Sequence, residues 1–227
     1  MRTVARLSAL PVSSGNGANQ TDHGGLLLNR IPLFLFALCL CTEAWADARE
    51  RLDRFAEGLT ALSAEFSQLT LDENGRPSDQ STGYLYFQDP DRFRWSYGEP
   101  FPQEMVADGE KLWHYDESLE QVTVREQPPA AESPLLVLTR PELLDRFYRI
   151  EASDDDHVLT FRPLSDDGEF EQASLFFIND TPAALELADR FGQLTRIELH
   201  DLIRNPELDP ALFQFVIPAG VDVLEGY

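Results

Sequence analysis

The chain has 227 residues, enough for a single domain whose core needs no disulfide or metal staple. Its 40 acidic residues stand against 18 basic ones, a formal charge of −22, and Lys111 is the only lysine. Such a surface repels a phosphate backbone, which excludes nucleic-acid binding. The acid excess itself has three readings: a solvated face, adaptation to salt, or attraction to basic partners.

Residues 1–29 are rich in Ser, Gly and Asn and are expected to be disordered, or an extension from a start codon placed too early. Residues 30–46 read as a secretory signal. Arg30 precedes the apolar run Ile31–Leu40, and Ala44-Trp45-Ala46 supplies an A-x-A cleavage site before Asp47. The run is too short to span a bilayer permanently. Cys39 and Cys41 both precede the cut, so the mature chain is expected to hold no thiol or disulfide. Leu38 and Leu40 stand before those cysteines, where lipoprotein processing needs a small residue. The exported product, residues 47–227, is therefore expected to be one soluble, unanchored domain.

Asp47 to Leu62 reads as an amphipathic helix, with Leu52, Phe55, Leu59 and Leu62 recurring at three- and four-residue intervals. Strand grammar follows. Asp72–Gly75 (DENG) marks a turn, Gly83–Gln88 a strand, and Asp89-Pro90 a corner. In Arg92–Tyr97, three aromatics (Phe93, Trp95, Tyr97) alternate with Arg92, Arg94 and Ser96, the period of a half-buried strand. That aromatic face is either ordinary core or the lining of an apolar pocket. Short strands continue at 104–107, 111–115 and 121–124, with Asp108-Gly109 as a hairpin turn.

A proline-rich link at 126–132 breaks the pattern. Ser133-Pro134 is a helix start, followed by the apolar Leu135, Leu136 and Leu138. Pro141 starts a second short helix, in which Leu143, Leu144 and Phe147 share a face. Strands are expected again from Tyr148, at 158–162, 173–178, 184–189, 195–202 and 213–217. The fold class is mainly β with a few helices. The pattern predicts one antiparallel curved sheet, an incomplete β-barrel, covered on one side by a helical lid.

Catalytic motifs are absent: no G-x-S-x-G, P-loop, G-x-G-x-x-G or H-E-x-x-H occurs. Asp154-Asp155-Asp156-His157 lacks the alternating ligands of a calcium loop and reads as a solvated turn. No enzyme, metal or cofactor is expected.

Six segments in order carry a resemblance: Ala64–Gln68 (AEFSQ), Arg92–Pro100 (RFRWSYGEP), Ala107–Val124 (ADGEKLWHYDESLEQVTV), Ser133–Leu138 (SPLLVL), Phe191–Gln193 (FGQ) and Ala211–Val223 (ALFQFVIPAGVDV). Together, behind a signal sequence, they resemble the outer-membrane lipoprotein carrier (LolA) family of the periplasm. The resemblance implies a monomeric chaperone. Such a chaperone takes triacylated lipoproteins from an inner-membrane ABC transporter and delivers them to an outer-membrane acceptor. It also implies that Phe93, Trp95 and Met105, with Leu135, Leu136 and Leu138 of the lid, line the lipid cavity or its mouth; Trp113 and Tyr115 read instead as core. The alternative is a lipid-sensing regulatory module of the same fold. One position departs from the family pattern. Members commonly carry arginine before the corner proline, where it donates to lid carbonyls, and here Asp89 stands there. A carboxylate cannot donate, so either a lid held at this point takes a donor from Arg140, Arg92 or Arg94, or Asp89 only caps the corner.

Overall fold

The computed structural model describes residues 47–127, 137–151, 153–165 and 170–226. All lie in one compact unit, Glu43–Tyr227. The expected signal sequence, the two cysteines and lid residues Leu135 and Leu136 fall outside the described residues.

Helix α1 (Ala48–Ala56) opens the fold. Asp47 caps it by accepting a hydrogen bond from the Arg49 N–H at 3.2 Å, and Ala48, Leu52 and Phe55 form its buried stripe. The helix is shorter than the hydrophobic spacing suggests. Gly58 takes a left-handed φ of 66° and turns the chain, so Leu59 lies in the turn and Leu62 belongs to the first strand. Both remain buried, which is why the apolar spacing runs on past the helix end.

Strands β1 (Ala61–Leu71), β2 (Pro77–Gln88), β3 (Arg92–Tyr97), β4 (Gln103–Ala107), β5 (Lys111–Asp116) and β6 (Gln121–Glu126) form a meander. Val137 and Leu138 then lie in a 3₁₀ turn, and α2 (Glu142–Phe147) follows Pro141. Strands β7 (Tyr148–Glu151), β8 (Val158–Pro163), β9 (Gln172–Ile178), β10 (Thr181–Ala188) and β11 (Leu194–Arg204) form a second meander. β11 pairs with β1 and joins the two into a single curved sheet of 12 strands that does not close, with β12 (Asp222–Glu225) at one edge and β7 at the other.

Two expectations need correction at the C-terminal end. Residues 213–217 are not a strand. Pro210–Phe213 is a 3₁₀ turn capped by Asp209, and an irregular segment follows it. The alternation of Phe213 and Phe215 mimics a strand, but these rings pack onto the sheet's outer face instead of pairing along an edge. Phe213 is buried, and Phe215 stacks on Trp113 at 5.6 Å between ring centroids. Arg94 fastens this strap by donating to the Leu212 carbonyl at 3.1 Å while gripping Glu104 at 2.6 Å. The sheet is also not wholly antiparallel, because β12 pairs in parallel with β6.

The main core fills the other, inner face. It gathers Phe66, Leu85 and Trp95 from the first meander and Leu159, Phe161, Leu175 and Leu185 from the second, beneath Leu52, Leu138 and Leu144 of the cover. Gly83 sits between Phe66 and Tyr97 in register. A Cβ there would come within 1.9 Å of the Ser96 carbonyl oxygen and 2.8 Å of the Phe66 ring, so only glycine lets the two aromatics close edge-on at 5.2 Å.

Candidate functional site: the covered inner face

Strand pairing lays the inner-face side chains out in rows. One row runs Leu62, Phe87, Phe93, Ala107; the next runs Ala64, Leu85, Trp95, Met105; a third runs Phe66, Gly83, Tyr97, Gln103. The alternation in β3 therefore puts all three aromatics on this face, while Arg94 looks outward. Burial then separates them. Trp95 is 3% exposed and packed on Phe66 at 4.7 Å; Phe93 and Tyr97 are half-buried, and Met105 is partly buried at the margin. Leu138 is fully buried in the cover. Trp113 and Tyr115 point to the outer face, where the strap covers them.

The cover is fastened at its rim by arginines. Arg49 of α1 makes a two-pronged bond to Asp145 of α2, at 2.8 and 3.0 Å. That bond holds the Asp145 carboxyl below the ordinary aspartate range and raises Arg49. Arg51 and Arg54 grip Asp180 in the β9–β10 turn at 2.6 and 3.0 Å, and Asp180 is lowered in turn by its bond to Arg54. Arg140, just before α2, reaches the β2–β3 corner. It donates to the Pro90 carbonyl and lies 3.1 Å from Asp91 and 3.7 Å from Asp89. The corner thus receives a donor from the cover side, with Asp91 closer than Asp89. Sequence reasoning missed Asp91 because the family pattern drew it to the residue before the proline. Arg49 and Asp145 lie 96 residues apart, and no local pattern marks them as partners.

All these pairs are at least partly exposed, and such pairs contribute at most about 1 kcal/mol each. They can orient a cover without locking it. Among the described residues, one cleft of about 480 Å³ lies between the sheet and the strap and another of about 510 Å³ between α1 and α2. The first is lined in part by Tyr97 and Gln103 of the third row, and the second lies away from the rows. Paired charges stand in each cleft, Arg94 and Glu104 in the first and Arg49, Asp53 and Asp145 in the second. Among the described residues no cluster of three or more metal-binding side chains occurs, and none of their helices is long and apolar enough to cross a membrane.

An unclosed, mostly antiparallel sheet with an aromatic inner face under a small helical cover fastened by arginine pairs defines the class: a half-barrel with the architecture of an apolar-ligand binder. Residues 57–216 match the family described as "Outer membrane lipoprotein carrier protein LolA". A protein of Methylococcus capsulatus named "Outer-membrane lipoprotein carrier protein" is 38% identical over 86% of this chain and 99% of its own length. One of the same name from Xanthomonas oryzae pv. oryzae is 41% identical over 81% of this chain and 90% of its own. A Thermus thermophilus structure, described only as an uncharacterized conserved protein, shares the fold with a TM-score of 0.50 at 16% identity, covering 79% of this chain and 99% of that one. The chain belongs to the LolA family.

Proposed function

We propose that the chain is a periplasmic chaperone that carries acylated lipoproteins, taking up their hydrocarbon chains on the inner face of the half-barrel. The observation that carries this reading is the continuous floor of Leu62, Phe87, Phe93, Leu85, Trp95 and Met105 beneath a cover held by exposed arginine pairs. Burying hydrocarbon is worth about 0.8 kcal/mol per CH₂, so an acyl chain loses on the order of 10 kcal/mol on entering water. A carrier must remove that cost and still release its cargo. Here Leu52, Leu138 and Leu144 of the cover pack into the same core as Leu85 and Trp95 of the floor. Lipid entry exchanges protein hydrocarbon for acyl hydrocarbon, and the net affinity is smaller than the buried area alone would give. The relatives named as lipoprotein carriers support this cargo.

On this reading residues 30–46 direct export, the mature chain begins at Asp47, and no chemistry beyond binding is required. An inner-membrane ABC transporter is the donor and an outer-membrane protein the acceptor. Phe93, Trp95, Met105, Leu135, Leu136 and Leu138 line the cavity or its mouth, and Asp89 and Arg140 take part in holding the cover. The test is release. Mature protein is added to inner-membrane vesicles carrying a labelled triacylated lipoprotein and ATP. Label leaving the membrane as a complex with the chain is the expected result, and label that stays in the vesicles at every protein concentration overturns the reading.

A further inference from the structure

Trp113 and Trp95 share one sheet but treat their indole N–H groups differently. Trp113 donates to Asp108 at 3.0 Å. Trp95, 3% exposed, has an enclosed Nε1 with no hydrogen-bond partner. Buried indole N–H groups ordinarily find an acceptor, and one left without is a cost that asks for a reason. The same region of the inner face holds a second such atom, the enclosed and unpartnered hydroxyl of Ser81. Ser81 pairs with Gln68 two residues beyond the Phe66–Gly83 pair, on the same face, where the apolar floor gives way to polar side chains. Between them Tyr97 donates to Gln68 Oε1 at a long 3.3 Å. Burial pushes the Tyr97 phenol up to about 12, and the neighbouring Trp95 side chain pulls it the other way.

We infer that Trp95 Nε1, at this polar margin of the floor, is the seat of a neutral ester carbonyl that joins bound hydrocarbon to its glyceryl head. The inference rests on the lipid-carrier reading and deepens it. Trp95 can only donate, so the ligand must bring an acceptor. The acceptor is uncharged, because the nearest cation on β3, Arg94, faces the opposite side and is paired with Glu104, while Asp79 adds negative charge on the Tyr97 side. A free carboxylate would enter that field without a partner. The carbonyl thus marks where the acyl chain ends and fixes how deep the lipid sits.

The test compares two neutral probes of equal chain length, a 1,2-diacylglycerol and its 1,2-dialkyl ether, each displacing a fluorescent apolar dye from the mature protein. The parent is expected to prefer the ester on the order of fivefold, the size of one buried hydrogen bond. Trp95→Phe keeps the ring area but not the donor, and should bind both lipids alike. The Trp95 indole proton resonance should also move on adding the ester and stay put on adding the ether, which decides the matter if the variant fails to fold. Equal affinities in the parent, or a preference that survives in Trp95→Phe, overturn the inference and leave the carrier reading standing. Failure of the parent to bind either lipid overturns both.

Discussion

Phe93 and Trp95 stand two residues apart on the same face of β3, yet their surroundings assign them different work. Trp95 is locked among Phe66, Tyr97 and the cover, so removing it opens a large hole. Trp95→Ala should cost about 3–5 kcal/mol of stability, read as a drop in the urea midpoint. Phe93 is only half-buried and lies outside the packed clusters, which leaves its ring edge free for a ligand. Phe93→Glu should therefore cost much less stability. It should abolish lipid uptake all the same, because a carboxylate would face acyl chains without a partner. Melting and uptake are to be measured side by side on both variants and on Met105→Glu. Uptake that simply tracks stability across the three would reduce the aromatic face to ordinary core.

Among the elements, the cover and its fastenings answer the question that Asp89 raised. Arg140 reaches two carboxylates and a carbonyl at the β2–β3 corner, and Asp91 is the nearer acid. Losing Asp89 alone leaves the other two contacts, so Asp89→Asn should hardly change hydrogen exchange in α2. Asp91→Asn should speed it modestly, and Arg140→Gln, which removes every contact at once, should speed it most, by up to about fivefold for a pair of about 1 kcal/mol. The reverse order, with Asp89 dominant, would mean the corner is held some other way. Period-2 alternation located β3, β5 and β8 almost to the residue, because each has one wet and one dry face. It failed at Phe213 and Phe215, where one ring is buried and the other stacks on Trp113 in a strap that joins no strand ladder. Helical spacing overran α1 because Leu59 and Leu62 are buried for a different reason, after a glycine turn. Neither the parallel β6–β12 pairing nor the Arg49–Asp145 clamp could be read locally, since each joins residues about a hundred positions apart. For the inner face, the sequence showed which side chains share it, and the structure added which of them the core has already claimed.

The charge of the whole molecule sets local attraction against global repulsion. Arg49, Arg51, Arg54, Arg94, Arg140, Arg162 and Arg196 each already hold a carboxylate, several of them two. With 40 acids to 18 bases, most carboxylates have no cation left to meet, and their mutual repulsion weighs against the folded state. Salt acts on both terms. Screening shortens from roughly 30 Å at 0.01 M to roughly 8 Å at 0.15 M, which relieves repulsion across the surface and also weakens the exposed pairs at the rim of the cover. Global stability and closure of the cover should then move in opposite directions. Raising NaCl over that range is expected to lift the thermal midpoint by several degrees, at concentrations where salting-out of apolar groups is still small. Hydrogen exchange in α2 should quicken over the same range, while exchange in β1 and β11 slows. A midpoint that stays flat would show that the acid excess imposes no strain on the fold. Protection of α2 that rises in step with β1 would show that the arginine pairs do not hold the cover, and that its hydrocarbon contacts alone do.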